Sequence, residues 1–495
     1  MDKIAFNTER YIQMQTQKIK ERVTMYNNKL YLEFGGKLFD DNHAARVIPG
    51  FSPDTKIKML MNMADQVEII VAINANDIQK NKIRGDLGIT YDQEVLRLID
   101  AFQAIQLYVS SVVFTQYTKQ SAADKFRQQL KRLGIKTYLH YPINGYPTNV
   151  AEIVSENGYG KNDYIKTTRP LVVVTAPGPG SGKLATCLSQ LYHENKNGVI
   201  AGYAKFETFP IWNLPLRHPI NLAYEAATAD LNDVNMIDPF HLDAYGIKTV
   251  NYNRDVEVFP VLQAIFMKIF NECPYKSPTD MGVNMVGFCI TDEQLAINAA
   301  QNEIIRRYFQ ALVEYRMGLS DDGASQKISL LMNQTNISVN DRKVVEIALH
   351  KATKTGLPAV AIELADGRIV TGKTSSLLGA SSAALLNALK TLANIDDKIT
   401  LISPLVIQPI QELKINMLKN NNPRLHTDEL LIALAIAAQS DPIARLAFDQ
   451  IPELKNSQLH STVILSSVDL NIFRKLDVNV TCEPIYQTKK LYHRK

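Results

Sequence analysis

Apolar residues in the first 205 positions alternate between two patterns, namely short β-branched runs and longer stretches with helical spacing. Runs such as 67–74 and 170–175 consist almost wholly of apolar residues rich in Val and Ile, which is typical of strands buried in a parallel sheet. Strands are predicted at 31–37, 67–74, 109–114, 135–141, 170–175 and 198–205, and helices at 10–28, 56–64, 92–108, 121–133 and 183–194. This alternation predicts a doubly wound α/β sheet.

The pattern changes after residue 205. Residues 206–275 are rich in Pro, Asn and Asp and predict a loop region, whereas 292–333 have helical apolar spacing. Further on, Asp366-Gly367 between two apolar runs predicts a hairpin. Helices are predicted at 341–355 and 381–393, and strands at 359–364, 368–371 and 398–406. Three domains are expected: a P-loop-like α/β domain at 1–235, a loop-rich and helical domain at 236–335, and a C-terminal α/β domain at 336–495.

Composition narrows the class of protein. Of the 495 residues, 46% are hydrophobic and 21% charged, which is typical of a globular chain. The net charge of +4 is not concentrated in any basic block, so nucleic acid is not an expected partner. Four cysteines without CxxC spacing indicate reduced thiols and a cytoplasmic protein, and the longest apolar run, 430–438, is too short to span a membrane.

The segment Pro177-Gly-Pro-Gly-Ser-Gly-Lys-Leu184 lies between an apolar strand and a helix, which is the context of a phosphate-binding loop. Glycines allow backbone N–H groups to approach phosphate oxygens, and a lysine meets the terminal phosphates. The predicted phosphate-binding residues are Gly178, Gly180, Ser181, Gly182 and Lys183, with ATP or GTP as ligand. The alternative is a tight Gly/Pro turn that caps a helix.

The loop departs from the usual pattern at two positions. Pro177 replaces the first glycine, and Leu184 replaces the Ser or Thr that would hold Mg²⁺. A carboxylate elsewhere is therefore expected to bind Mg²⁺. Asp238, after an apolar segment, is the candidate ligand, with Asp233 as the alternative. Lys183, Asp233, Asp238 and His218 are the catalytic candidates, although a solvated loop can hold the same acidic and histidine residues.

Histidine spacing does not predict a zinc site. His218 and His241 are 23 residues apart, and His193-Glu194 is not followed by the second His of an HExxH motif. No zinc cofactor and no zinc-protease activity are therefore expected.

Other polar loops follow predicted strands and are expected to meet the glycine-rich loop at one edge of the sheet. Their candidate ligand-binding residues are Gly35, Gly36, Lys37, Arg84 and Lys205, and two of these loops also carry Asp40 and Asp86. For each loop taken alone, a surface turn is the favoured interpretation. Residues 198–208 resemble the second strand of dethiobiotin-synthetase-like P-loop ligases, which would put Lys205 and Glu207 beside Lys183.

The hairpin at 358–372 and the helix at 381–389 resemble the start of the cytidine-deaminase-like fold. In that fold the helix begins with a His or Cys zinc ligand and a Glu two residues later. Ser and Ala occupy those places here. Neither zinc nor deamination is expected, and the domain is interpreted as a scaffold, an interface or a ligand-recognition surface.

Four segments, 33–46, 84–91, 177–183 and 225–241, together resemble an uncharacterised bacterial family, the domain of unknown function 1846 family, some members of which carry the label ATP-dependent zinc protease. The residues themselves favour an ATP- or GTP-using ligase or kinase that acts on a small anionic substrate. The alternative is a non-catalytic sensor of a nucleotide or phosphorylated metabolite, or an oligomeric scaffold. A homo-oligomer is expected in either case.

Overall fold

The computed structural model describes residues 4–39, 41–85 and 87–488, so Asp40 and Asp86 lie outside the described residues. The described residues form two compact units. One takes residues 4–225 and 232–300, and the other takes residues 226–231 and 301–488. Within these ranges no helix is both long enough and apolar enough to cross a lipid bilayer.

The strands belong to one large sheet, one four-stranded sheet and two short antiparallel pairs. In chain order they are β1 (Leu30–Phe34), β2 (Val67–Asn74), β3 (Ile83–Arg84), β4 (Ile89–Thr90), β5 (Tyr108–Thr115), β6 (Lys136–Leu139), β7 (Leu171–Thr175), β8 (Gly202–Phe206), β9 (Asn235–Ile237), β10 (Val250–Tyr252), β11 (Gly282–Val283), β12 (Ala359–Glu363), β13 (Ile369–Lys373), β14 (Gln458–Ser461) and β15 (Asn479–Cys482).

The large sheet has seven strands in the order β11-β8-β1-β7-β2-β5-β6, and every neighbouring pair is parallel. The central strand β7 consists of Leu-Val-Val-Val-Thr and is buried along its whole length, as expected for a strand covered on both faces. This confirms the predicted α/β class with a large parallel sheet.

Helices connect these strands and form most of the rest of the described chain. They are α1 (Thr8–Met25), α2 (Asn42–Val47), α3 (Thr55–Met61), α4 (Ala75–Gln79), α5 (Tyr91–Ala104), α6 (Ser121–Arg132), α7 (Val150–Ile153), α8 (Lys183–Lys196), α9 (Pro219–Ala227), α10 (Pro239–Tyr245), α11 (Asn253–Phe270), α12 (Pro278–Met281), α13 (Glu293–Arg316), α14 (Gly323–Gln334), α15 (Val344–Thr355), α16 (Ala380–Leu392), α17 (Pro404–Glu412), α18 (Thr427–Ala437), α19 (Pro442–Phe448) and α20 (Ser467–Lys475).

The four-stranded sheet has the order β13-β12-β14-β15, in which β12 is antiparallel to both neighbours and β14 is parallel to β15. The predicted hairpin is confirmed, since β12 and β13 pair from Ala359 with Lys373 to Glu363 with Ile369. Helices α16 and α18 supply Leu385, Leu389 and Leu434 to the core beside this sheet.

Two sequence predictions are wrong. The strand predicted at 398–406 is absent from the described chain, because Pro404 begins α17 and the Ser403 side chain caps it by accepting a hydrogen bond from the Leu405 N–H. The predicted loop region 206–275 contains α11, an 18-residue helix that continues through Pro260. Its buried stripe, which includes Phe259 and Phe266, stabilises the helix despite the proline.

Candidate functional site

The candidate site lies where the parallel strands of the large sheet end. Strands β1, β2, β5, β7 and β8 run in the same direction, so the loops that follow them emerge at one edge. The loop after the central strand β7, residues 176–182, is called the glycine–proline loop. It leads directly into α8.

Side chains from the two neighbouring strand ends hold the glycine–proline loop in place. The Thr115 hydroxyl donates a 2.8 Å hydrogen bond to the Ser181 carbonyl, and the Asn74 amide donates one of 3.2 Å to the Gly180 carbonyl. Within the loop, the buried Ser181 hydroxyl donates to the Gly178 carbonyl at 2.9 Å. The loop is therefore fixed before any ligand arrives.

Two glycines are required by this packing. Gly182 has φ +86°, and a Cβ there would lie 2.9 Å from the Thr115 side chain. A Cβ at Gly178 would lie 2.2 Å from the Tyr91 phenol oxygen, so the ring of Tyr91 occupies the space beside the loop. A side chain at either position would displace the loop or the Tyr91 or Thr115 side chain that packs on it.

The start of α8 presents unpaired hydrogen-bond donors. In the described part of the chain, the backbone N–H groups from Gly180 to Ala185 donate no hydrogen bond to protein. The half-buried Lys183, the first residue of α8, makes no hydrogen bond or ion pair with any residue that the structure describes. Free amides at a helix N-terminus together with an unpaired ammonium group favour an anion.

A cluster of ionisable residues lies on one face of the same edge. It is called the Lys205 cluster and comprises Glu33, Tyr203, Lys205, Glu207 and Asp255. The Lys205 ammonium group contacts the carboxylates of Asp255 and of Glu207, the latter at 2.8 Å. The Tyr203 hydroxyl donates to Glu33 at 2.7 Å. Glu33 and Lys205 are in register on adjacent strands, which puts them on the same face of the sheet.

Burial and charge shift the pKa values of two members of this cluster. Burial lowers the pKa of Lys205, but the Asp255, Glu207 and Glu33 carboxylates outweigh that effect and raise it. For Glu207, burial raises the pKa, Lys205 lowers it and Asp255 raises it, with a net value of about 7. A carboxyl group with this pKa exchanges protons near neutral pH.

One member of the Lys205 cluster and the lysine that follows the glycine–proline loop both lie near the buried Cys187. Cys187 is one helical turn after Lys183 in α8. Burial raises the pKa of the Cys187 thiol, Glu33 raises it further, and Lys183 lowers it. The Glu33 carboxylate and the Lys183 ammonium group therefore both influence one buried thiol.

The turn after β1 contacts the end of β8 on the same edge. The Gly35 N–H donates to the Phe206 carbonyl at 3.2 Å, and the exposed Lys37 follows two residues later. Gly36 lies beside the buried ammonium group of Lys56, which pairs with Asp41 at 2.6 Å. The structure thus brings Gly35, Gly36 and Lys37 to the strand end that carries Lys205.

Two family models match the chain, and both describe domains of unknown function. The DUF1846 N-terminal domain matches residues 4–336, and the DUF1846 C-terminal domain matches residues 340–492. The chain belongs to the DUF1846 family. It is similar to the UPF0371 protein SUB1165 of Streptococcus uberis, with 59% identity, and to the UPF0371 protein SpyM50764 of Streptococcus pyogenes serotype M5, with 58% identity. Each alignment covers 100% of both chains. Neither the family descriptions nor the names of these relatives state an activity, and they do not support the zinc-protease label.

The other predicted site residues of this DUF1846 chain are engaged elsewhere. The Arg84 guanidinium group binds the buried carboxylate of Glu94 in α5. The Asp233 carboxylate lies 3.4 Å from the Arg254 guanidinium group, and the His218 Nε2 atom lies 3.3 Å from the Glu293 carboxylate. Burial lowers the pKa of His218. Among the described residues, no hydrogen bond or ion pair joins Arg84, His218 or Asp238 to the glycine–proline loop. The β3–β4 hairpin that contains Arg84 leads directly to Tyr91, which packs on Gly178.

Asp238, the predicted Mg²⁺ ligand, is fully buried at the start of α10. One carboxylate oxygen accepts a hydrogen bond from the His241 N–H at 3.0 Å. The other accepts from the N–H and the hydroxyl of Thr279, at 3.2 and 2.6 Å. One oxygen therefore caps α10, and the other ties α10 to Thr279 in α12. In the residues that the structure describes, no three His, Cys, Asp or Glu side chains are grouped as metal ligands would be.

Sequence reasoning missed several residues that build the site in this DUF1846 protein. Asn74 and Thr115 are the last residues of β2 and β5, and their position at strand ends was the available signal. Asp255 lies in the first turn of α11, inside the region interpreted as loop. Trp212, which donates to Glu207 at 3.2 Å, gave no sequence signal.

Replacement of Glu207 by glutamine is expected to change how stability depends on pH. The folded-state pKa of about 7 exceeds the ordinary value of 4.5, so the protonated carboxyl contributes stability below pH 4.5 that is lost as the pH rises through 7. Glutamine does not titrate. The melting temperature of Glu207→Gln should therefore rise relative to wild type by about 2–4 °C between pH 5 and pH 8. The exposed Glu257→Gln in α11 is the control, and parallel pH profiles for wild type and Glu207→Gln would contradict the assignment.

Proposed function

We propose that this protein binds ATP or GTP at the glycine–proline loop and uses it, as a ligase or phosphotransferase, on a small anionic substrate. The observation that carries the proposal is that the N–H groups from Gly180 to Ala185 and the ammonium group of Lys183, at the start of α8, have no hydrogen-bond or ion-pair partner among the described residues. Terminal phosphate oxygens would accept hydrogen bonds from these amides. The Lys183 ammonium group would balance the charge on a transferred phosphoryl group.

Two further features support an enzyme. Burial raises the pKa of Glu207 to about 7, and the residue directly follows β8, on the edge that carries the loop. In the proposed reaction it takes the proton from the attacking group of the second substrate. The exposed Lys37 at the same edge suits an anionic second substrate.

A divalent cation usually accompanies the nucleotide in such enzymes. Leu184 offers no hydroxyl for Mg²⁺, and the Asp238 carboxylate is occupied by hydrogen bonds from His241 and Thr279. Asp238 therefore does not fit the role of a magnesium ligand, and the proposal assigns no step to Mg²⁺ on the protein. Any Mg²⁺ would arrive bound to the nucleotide phosphates.

Leu184 also favours a second candidate function. A protein that binds a nucleotide without a hydroxyl at this position fits a sensor that responds to binding alone. In that case the same amides and Lys183 hold the ligand, and no phosphoryl transfer follows.

A thermal-shift panel tests both functions. ATP, GTP, ADP, pyrophosphate and inorganic phosphate would each be added with and without Mg²⁺. A ligand present at about 100 times its dissociation constant stabilises the folded state by about 2.7 kcal/mol, which raises the melting temperature by several degrees. The variant Gly182→Val, which distorts the loop, is the control and should show no shift.

Nucleotide turnover then separates the enzyme from the sensor. Release of phosphate or diphosphate in the presence of a carboxylate or phosphorylated metabolite supports the enzyme. Binding without turnover supports the sensor. No shift with any of the five compounds would contradict both.

A further inference from the structure

Helix α18 is apolar on both of its faces. Leu430, Ala433 and Leu434 are buried in the core beside the four-stranded sheet. On the opposite face, Ile432 and Ile436 are 61% and 58% exposed. A helix that is apolar all round is normally covered on all sides, but the residues that the structure describes leave this face of α18 uncovered.

Segments that contact α18 also carry exposed aliphatic side chains. Glu429, which lies three residues before Ile432 on the same stripe of α18, pairs at 2.6 Å with Lys414. Lys414 belongs to a π-helical segment, Leu413–Met417, that follows α17. Helix α19 packs against α18. Large aliphatic side chains on these segments, between 44% and 75% exposed, form what is called the α18 face: Leu413, Met417, Leu418, Ile432, Ile436 and Leu446.

The area of this face matches the apolar part of a stable dimer interface. With on the order of 130–150 Å² for each fully exposed aliphatic side chain, the six leave roughly 500 Å² of apolar surface in water. A standard interface buries about 800 Å² per partner, of which about 65% is apolar in homodimers, or roughly 520 Å².

Charges around the face are neutralised within the chain. Lys414 pairs with Glu429, and Arg445 pairs with Asp449 at 2.9 Å. The remaining charges beside the described part of the face, Glu412 next to Leu413 and Lys419 next to Leu418, are of opposite sign, so the face has no strong net charge that would attract an anionic membrane. A neutral apolar helix face is complementary to a second copy of itself, since a two-fold axis places the same residues on both sides.

We propose that a second copy of this chain packs on the α18 face about a two-fold axis, so that the protein is a homodimer. The face belongs to the residue 301–488 part of the described chain and uses none of the residues of the candidate site. The proposal therefore stands whether or not a nucleotide binds.

Mass measurement of the full-length chain tests the proposal. Size-exclusion chromatography with light scattering should give twice the chain mass of 55.5 kDa for wild type at micromolar concentrations. The variant Ile432→Glu/Ile436→Glu should give a single chain mass, with a dissociation constant raised at least 100-fold. The control Leu330→Glu, at a position in α14 that is also 61% exposed, should remain a dimer. A monomeric wild type, or a dimeric Ile432→Glu/Ile436→Glu, would overturn the proposal.

A measurement on wild type avoids any dependence on the folding of the variant. Met417 is 75% exposed in the single chain, and the dimer would cover it, whereas Met25 in α1 is 67% exposed and outside the face. Oxidation of Met417 by hydrogen peroxide should slow several-fold as the protein concentration rises through the dissociation constant, while that of Met25 stays constant. Equal and concentration-independent rates at the two methionines would overturn the proposal.

Discussion

Lys183→Ala is expected to weaken nucleotide or phosphate binding about 10- to 100-fold, which corresponds to the loss of one charge-assisted hydrogen bond in a partly buried site. The unliganded protein should keep its melting temperature, because the Lys183 ammonium group makes no hydrogen bond or ion pair with the described residues. Isothermal titration of ATP or pyrophosphate into both proteins measures the change.

Lys196→Ala is the matched control for this experiment. Lys196 ends the same helix, where it pairs with Glu156 at the surface, so its removal takes away an equal charge far from the start of α8. Unchanged binding by Lys183→Ala, or equal losses in the two variants, would rule out the loop as the phosphate site.

Asp41→Asn is expected to cost about 3–5 kcal/mol of unfolding free energy, because it leaves the Lys56 ammonium group buried without its charged partner. Burial raises the pKa of Asp41, but Lys56 and His43 lower it more, so the net pKa is depressed. At pH values above the ordinary pKa of an aspartate, the ionised carboxylate therefore stabilises the folded state. This stabilisation is lost as the pH falls through the folded-state pKa. Urea unfolding at pH 7 and at pH 3 measures both effects.

The double variant Asp41→Asn/Lys56→Met tests whether the loss of stability comes from the unpaired charge of Lys56. Removing both charges leaves an apolar side chain against Phe206, whose ring lies 5.7 Å from the Lys56 ammonium group, and should recover most of the lost stability. If Asp41→Asn is as stable as wild type, the pair does not hold the turn after β1.

Much of the fold could be predicted because its signals are local. The β-branched runs of β2 and β7 and the Asp366-Gly367 turn determine strands and a hairpin without help from distant residues. The errors arose where a local signal was overridden. Pro260 lies inside α11, whose buried stripe depends on the elements packed against it, and Pro404 starts a helix in an apolar stretch interpreted as a strand.

The candidate site was predictable only in part for the same reason. The glycine–proline loop is contiguous in sequence, and its glycines indicate its shape. Its supports, Asn74 and Thr115, come from β2 and β5, and the partners of Lys205 include Asp255, fifty residues away. Their positions depend on the order of strands in the sheet, which hydrophobic spacing does not encode.

The strand order also affects how the sheet can form while the ribosome synthesises the chain. Strand β1 ends at Phe34, yet its two neighbours in the sheet, β7 and β8, begin at Leu171 and Gly202. At a synthesis rate of about 5–20 residues per second, the nascent first strand has no sheet neighbour for roughly 7–30 s. During that interval, β2, β5 and β6 can already pair with one another. We expect chaperones to bind the nascent chain chiefly after β1 has been synthesised and before β7 emerges, at the apolar segment 30–34.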